Sequence, residues 1–247
     1  MTAQFKSTSD FIRWNEAMTR KYDSEDYHLR SNFFIRWIER HRVKAILRFL
    51  DARPEDSVVE VGCGAGVVLE QIPAGHLLAV DLSGFILRKT QRRLSSPRLG
   101  QRRLTLLQAN AESLPLAANQ FKKILCTEVI EHVLEPRNVV REMARVATVN
   151  AVLVITIPNE ALIDRVKALI NKVRLSRWLL QGNGNDSHQA AYNSPADANE
   201  WHLHRFDLPL LRRVTKNVLV IDEIKAVPFR FLPLRYVVRC RVTSTND

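Results

Sequence analysis

Short apolar runs recur along the middle of the chain, at 58–61, 77–80, 104–108, 123–127 and 151–157, with glycine-containing or amphipathic stretches between several of them. Strands alternating with helices in this way predict a parallel sheet wound on both faces. Upstream, Phe33, Phe34, Trp37, Ile38, Val43, Ile46, Leu47 and Leu50 fall at helical spacing and stop before Ala52-Arg53-Pro54. That spacing predicts two or three helices over residues 10–50, ahead of the core. Helical periodicity resumes after Pro158-Asn159 through Leu162, Ile163, Val166, Leu169, Ile170, Val173, Trp178 and Leu179, and the glycine- and asparagine-rich stretch 181–187 reads as a loop. Two final apolar runs, 218–221 and 237–242, read as the last strands.

The first strand run leads into Glu60-Val61-Gly62-Cys63-Gly64-Ala65-Gly66, and the second ends in Asp81. Glycines let the backbone turn tightly and approach a ligand closely, and an acid at the carboxyl end of the next strand can accept both hydroxyl hydrogens of a ribose. A dinucleotide fingerprint needs a third glycine where Val67 stands, which disfavours pyrophosphate. A cofactor with a ribose and no phosphate fits the spacing better. In a parallel sheet the ligand lies beyond the carboxyl ends of the strands, where the glycines, Asp81, Asn110 and Thr127 all fall.

These residues resemble motif I and the ribose-binding acid of the class I S-adenosylmethionine-dependent methyltransferases. Ala109-Asn110-Ala111-Glu112-Ser113-Leu114-Pro115-Leu116 is similar to the adenine-binding segment of that family, and 121–127 to its fourth motif strand. The resemblance implies an α/β fold: a doubly wound, mostly parallel seven-stranded Rossmann-like sheet whose last two strands form an antiparallel hairpin. It implies one domain over 1–247, with a helical lid at 1–50, a cofactor core at 55–160, a helical cap inserted at 160–205, and a closing helix and hairpin at 206–247. The cofactor is then S-adenosylmethionine, held by Glu60, Gly62, Cys63, Gly64, Gly66, Asp81, Leu82, Asn110, Ala111, Glu112 and Thr127. Glu60 receives the ammonium group through the loop or a water. Asn110 stands where an aspartate is usual, so the adenine amino group meets a neutral acceptor, and the Ala111 amide can still donate to the ring.

Thr127-Glu128-Val129-Ile130-Glu131-His132-Val133 resembles the E-V-x-E-H-V motif of ubiquinone-biosynthesis O-methyltransferases, and more distantly the E-x-x-E-H metal motif of small-RNA 2′-O-methyltransferases. If a helix begins there, Glu128, Glu131 and His132 share one face beside the transferred methyl. His132 is then a base or a wall that positions the acceptor, with Glu128 its catalytic companion. Alternatively, Glu128, Glu131 and His132 bind Mg²⁺ or Mn²⁺ with His202 or His204 completing the set. Tyr22, His28 and His204 are candidate acceptor contacts, the first two through a lid that excludes water on closing.

Charge widens the choice of partner. The chain of 247 residues carries a formal net charge of +11, and 46% hydrophobic residues suffice for one sizeable core. That balance favours anionic partners, and the basic amphipathic stretch at 160–181 and the arginine-bearing run at 227–236 suit contact with an anionic membrane surface. Aromatics interleaved with basic residues, as a single-strand reader needs, are sparse, though nucleic acid is not excluded. Three scattered cysteines form neither a disulfide framework nor a zinc site, and no apolar run spans a bilayer, so a cytoplasmic protein, peripheral to a membrane at most, is expected. The expected activity is O-methylation of a small hydroxylated or lipid-linked acceptor (EC 2.1.1.-). An RNA or protein methyltransferase and a silent binding module of the same fold are the rivals, and the Asn-Pro-Pro-Tyr signature of adenine or glutamine N-methylation is absent.

Overall fold

The computed structural model describes residues 5, 7–21, 33–96, 102–172 and 201–243. In chain order it contains α1 (Thr8–Lys21), α2 (Phe33–Leu50), β1 (Ser57–Val61), a 3₁₀ turn (Leu69–Gln71), β2 (His76–Asp81), α3 (Gly84–Leu94), β3 (Arg103–Gln108), β4 (Phe121–Thr127), α4 (Pro136–Val146), β5 (Ala147–Pro158), α5 (Glu160–Lys172), α6 (Leu208–Thr215), β6 (Leu219–Phe229) and β7 (Leu232–Val242). The seven strands form one sheet in the order β3-β2-β1-β4-β5-β7-β6. Strands β1 to β5 are parallel, and β7 runs antiparallel between β5 and β6.

Central strands covered on both faces have no room for polar alternation, and the sequence shows this. In β1, Val58, Val59 and Val61 are fully buried, and adjacent residues face opposite layers. Val59, Leu78 and Ile124 pack with Val139, Val140 and Met143 of α4 and Leu211 of α6. Val58, Leu77 and Leu125 pack with Ile46, Phe49 and Leu50 of α2 and Leu87 of α3. Each such side chain, fully buried, contributes about 1.5–3 kcal/mol of transfer free energy. Helix starts follow local chemistry: the Ser83 hydroxyl caps α3 by accepting from the Ile86 N–H, and Asp207 caps α6 by accepting from Leu210.

One expected element does not form. Residues 128–135 are turns and bends rather than the start of a helix, and Glu128 sits in the left-handed region at φ 55°. The Glu128 N–H bonds the Thr156 hydroxyl on the neighbouring strand (3.1 Å), and that hydroxyl donates to the Glu128 carboxylate (3.1 Å). Tied back to β5, the chain cannot wind forward. Tyr22, His28 and the end of the insertion, including the loop expected at 181–187, lie outside the described residues.

Candidate active site

Gly62, Gly64 and Gly66 all take positive φ, and the loop they form bends over the carboxyl end of β1. A Cβ at Gly62 would stand 2.3 Å from a methyl of Val129, so the loop and the segment after β4 interlock only without one. Three contacts hold the loop from outside. The Thr90 hydroxyl donates to the Gly64 carbonyl (2.6 Å), Arg93 Nε donates to the Ala65 carbonyl (2.9 Å), and the Gly64 N–H donates to Asp81 Oδ2 (3.0 Å). Asp81 Oδ1 accepts from the Ser83 N–H (2.9 Å). Each carboxylate oxygen keeps a second lone pair for a ribose hydroxyl. Burial raises the Asp81 carboxyl to about 6 although the Ser83 and Gly64 amides pull it down.

Glu60 is fully buried at the end of β1. Its Oε1 accepts from the Thr127 hydroxyl (2.7 Å), whereas Oε2 has no partner. A buried, unpartnered carboxylate oxygen is costly unless a ligand completes it. Burial lifts this carboxyl to about 8. Arg42, on the sheet-facing side of α2, is buried as well, and both Glu60 and Glu131 lie in its field. Its Nε and Nη2 bind Glu39 (2.9 and 2.8 Å), and Nη1 has no partner. Glu60 thus keeps one orphaned acceptor and Arg42 one orphaned guanidinium nitrogen, of the charge types that complement an ammonium and a carboxylate. The sequence reading missed Arg42. The signal was there: an arginine at i+4 from Ile38 and i−4 from Ile46, inside an otherwise apolar helical stripe.

The expected adenine segment is a turn at 109–113 in which the Asn110 side-chain oxygen accepts from the Glu112 N–H (2.9 Å). The Ala111 N–H has no acceptor among the described residues. Glu112 is used structurally: its two oxygens accept from the Leu134 and Glu135 N–H groups (2.9 and 3.2 Å), tying this turn to the approach of α4. The Leu82 carbonyl accepts from the Gln108 side chain (3.1 Å) at the edge of the site. Cys63 is buried with its sulfur 3.8 Å from the Thr90 hydroxyl, and burial pushes its thiol well up, which removes it as a nucleophile.

Glu128, Glu131 and His132 do not come together as one face. The Glu128 carboxylate is taken by Arg235, whose Nε also bonds Glu39 (3.2 Å). Glu131 and His132 instead meet His202, and one ligand atom from each lies within 4.8 Å of the others. His132 Nδ1 bonds the Trp201 carbonyl (3.1 Å) and His202 Nδ1 bonds Glu160 (2.8 Å), which leaves Nε2 of both rings open. Glu131 Oε2 is buried without a partner. Burial lifts the Glu131 carboxyl to about 8, and burial, with His202 adding, pushes His132 down to about 3. His204 does not join them: its Nε2 bonds the Val133 and Leu134 carbonyls (2.9 and 3.1 Å) and pins residues 201–207 to this segment.

A family model described as a methyltransferase domain matches residues 59–155, the stretch that contains the glycine loop, Asp81, the 109–113 turn and His132. That stretch carries a domain of the methyltransferase family. Among similar proteins, the ubiquinone biosynthesis O-methyltransferase of Methylococcus capsulatus is 26% identical over 147 residues, covering 58% of this chain and 59% of that protein. The enzyme of the same description from Hahella chejuensis is 28% identical over 183 residues, covering 70% and 74%. The chain thus spans less than two thirds of the first relative's length. The N-methyltransferase NodS of Bradyrhizobium japonicum, solved with S-adenosyl-L-homocysteine, superposes with a TM-score of 0.62 at 15% identity over 92% of this chain and 96% of that one, a likeness of fold.

Proposed function

We propose that this methyltransferase moves the methyl group of S-adenosylmethionine to a hydroxyl oxygen of a small hydroxylated or lipid-linked acceptor. The observation that carries the reading is the cradle at the carboxyl ends of β1 and β2: a glycine loop, the ribose-competent Asp81, the unpartnered Glu60 Oε2 and the unpartnered Arg42 Nη1. These groups suit the ribose, ammonium and carboxylate of the donor and offer nothing built for a pyrophosphate.

Methyl transfer from a sulfonium asks for alignment above all. The methyl carbon leaves sulfur as the acceptor oxygen attacks, the sulfur departs as a neutral thioether, and the hydroxyl gives up its proton. Holding oxygen and methyl in line removes several kcal/mol of the barrier. In this reading residues 131 and 132, one strand along from the glycine loop, form the wall for that alignment, supported by the His132 Nε2 left open when Nδ1 bonds the Trp201 carbonyl.

Glu131, His132 and His202 also form a donor set that fits a divalent cation. Each histidine is oriented through Nδ1 by a carbonyl or a carboxylate, as metal-ligating histidines are, and the carboxylate oxygen between them has no protein partner. Two imidazoles and one carboxylate suit Mn²⁺, Fe²⁺ or Zn²⁺ better than Mg²⁺, which prefers oxygen ligands. When bound, such an ion polarises an acceptor hydroxyl as a Lewis acid. The O-methyl reading draws support from the two relatives named for ubiquinone biosynthesis O-methylation.

Calorimetric titration with S-adenosylhomocysteine tests the donor site without an acceptor, and radiolabelled methyl transfer to a panel of phenols and lipid-linked phenols tests the acceptor class. Micromolar binding with label recovered in an ether-linked product supports the reading; no binding at millimolar ligand overturns it.

A further inference from the structure

Among the described residues, the exposed phenylalanines gather at the tip of the β6–β7 hairpin and the start of α2. Phe229 is 40% exposed, Phe231 82%, Phe33 71% and Phe34 45%. Three contacts join four rings into a continuous strip: Phe34 to Trp37 at 5.9 Å, Trp37 to Phe229 at 5.3 Å, and Phe229 stacked on Phe231 at 4.9 Å. Large aromatics left in water at this density mark a surface that meets something apolar.

Among the described residues, the exposed charges beside the strip are of one sign. Arg230 lies between the two hairpin phenylalanines, and Arg36 and Arg40 stand exposed along α2. Glu39 is the only acid on α2, and it is buried against Arg42 and Arg235. No carboxylate among the described residues pairs with Arg36, Arg40 or Arg230.

The place of the strip matters as much as its composition. Arg235 of β7 pairs with Pro158, the last residue of β5, and its guanidinium holds Glu128 beside the candidate active site. The turn between Phe229 and Leu232 therefore projects past the carboxyl ends of the parallel strands, the end at which the site opens.

We infer that this aromatic and cationic face docks on an anionic phospholipid surface, with the phenylalanines in the interface and the arginines on the headgroups. Aromatic rings settle at the boundary between headgroup and acyl chain, and basic side chains add attraction to anionic lipid. A second copy of the chain is disfavoured as occupant, because each copy would bring the same positive face to the other. Nucleic acid is disfavoured because Phe229 and Phe231 stack on each other rather than standing apart to receive successive bases. The consequence that a lipid-linked acceptor is drawn straight from the bilayer rests on the methyl-transfer reading; the docking itself does not.

The experiment is co-sedimentation of the full chain, without cofactor, with vesicles of phosphatidylcholine alone and of phosphatidylcholine mixed with phosphatidylglycerol. The mixed vesicles are expected to bind it and the neutral ones much less, with added salt releasing it. The double substitutions Phe229→Ser with Phe231→Ser, and Arg36→Glu with Arg40→Glu, are each expected to weaken binding by about tenfold or more. Val149→Ser, which removes a side chain 84% exposed near the start of β5, should leave binding unchanged. Wild-type sedimentation by both double variants, or no binding of wild type to mixed vesicles, overturns the inference. So does a concentration-dependent dimer that the Phe229 and Phe231 changes abolish, since it assigns the face to a second copy. Vesicle binding in a protein that fails to take S-adenosylhomocysteine would sink the methyltransferase reading and leave the docking face standing.

Discussion

Arg235 grips the Glu128 carboxylate from 107 residues further along the chain, and the same guanidinium holds Glu39 on α2 at 3.2 Å. One cation thereby fastens the closing hairpin, the segment after β4 and α2 at the rim of the site. It also removes Glu128 from any role that needs an open carboxylate.

Truncating that cation leaves the Glu128 carboxylate with only the Thr156 hydroxyl and Glu39 with Arg42, both with little solvent to compensate the loss. We expect Arg235→Gln to lower unfolding stability by about 3 kcal/mol, read by urea denaturation. A loss within error would show the network to be screened and dispensable. A Glu128→Gln variant, which keeps the shape and most of the hydrogen bonding, should lose less.

The ribose assignment makes Asp81→Ala a donor-affinity variant. Titration with S-adenosylhomocysteine should show about 1–3 kcal/mol weaker binding. Unchanged affinity would place the ribose elsewhere.

The ammonium cradle carries a pH signature. Burial holds the Glu60 carboxyl at about 8, so it is protonated at neutral pH in the unliganded protein, whereas a bound ammonium favours the ionised form. Donor affinity should therefore rise as pH climbs to about 8 and then level. The linked stability runs the other way. A raised carboxyl pKa favours the folded state at low pH, and that contribution fades as pH rises from the ordinary 4.5 towards about 8. Glu60→Gln should flatten the affinity profile; an unaltered profile would acquit Glu60. Arg42→Gln should weaken donor binding at every pH.

The cation set is tested from its supporting residue. Glu160→Gln leaves Glu131, His132 and His202 in place and weakens the hold on His202, along with a looser contact to Arg205, so retained Mn²⁺ or Zn²⁺ should fall by about tenfold in equilibrium dialysis. Equal metal in Glu160→Gln and wild type, or none in either, would end the assignment. His132→Ala should slow turnover while leaving S-adenosylhomocysteine affinity largely intact.

Much of the architecture could be read before any coordinates because it is local. The central strands were visible as apolar runs, since strands buried on both faces have no polar alternation to hide them, whereas at the edge only the first residues of β6 were legible. Glycines at 62, 64 and 66 betrayed a positive-φ loop, and Asp81 followed from its place at a strand end. The helix expected from Glu128 failed for a tertiary reason: its amide and carboxylate are drawn to Thr156, across a strand pairing that nothing nearby in the chain encodes. His202 in place of Glu128 beside Glu131 and His132 has the same origin, a contact between segments about seventy residues apart.

The sequence by itself determined the sheet, the glycine loop and the acid after β2, because each depends on the stereochemistry and burial of a few consecutive residues. Only the tertiary structure decided which charges face each other. That Arg42 and Glu60 each keep a buried atom without a partner, that Glu128 is spent on Arg235, and that Phe229 meets Trp37 all depend on how α2 and the last hairpin pack against the sheet. Packing is a sum over many weak contacts, and no single stretch of chain carries it.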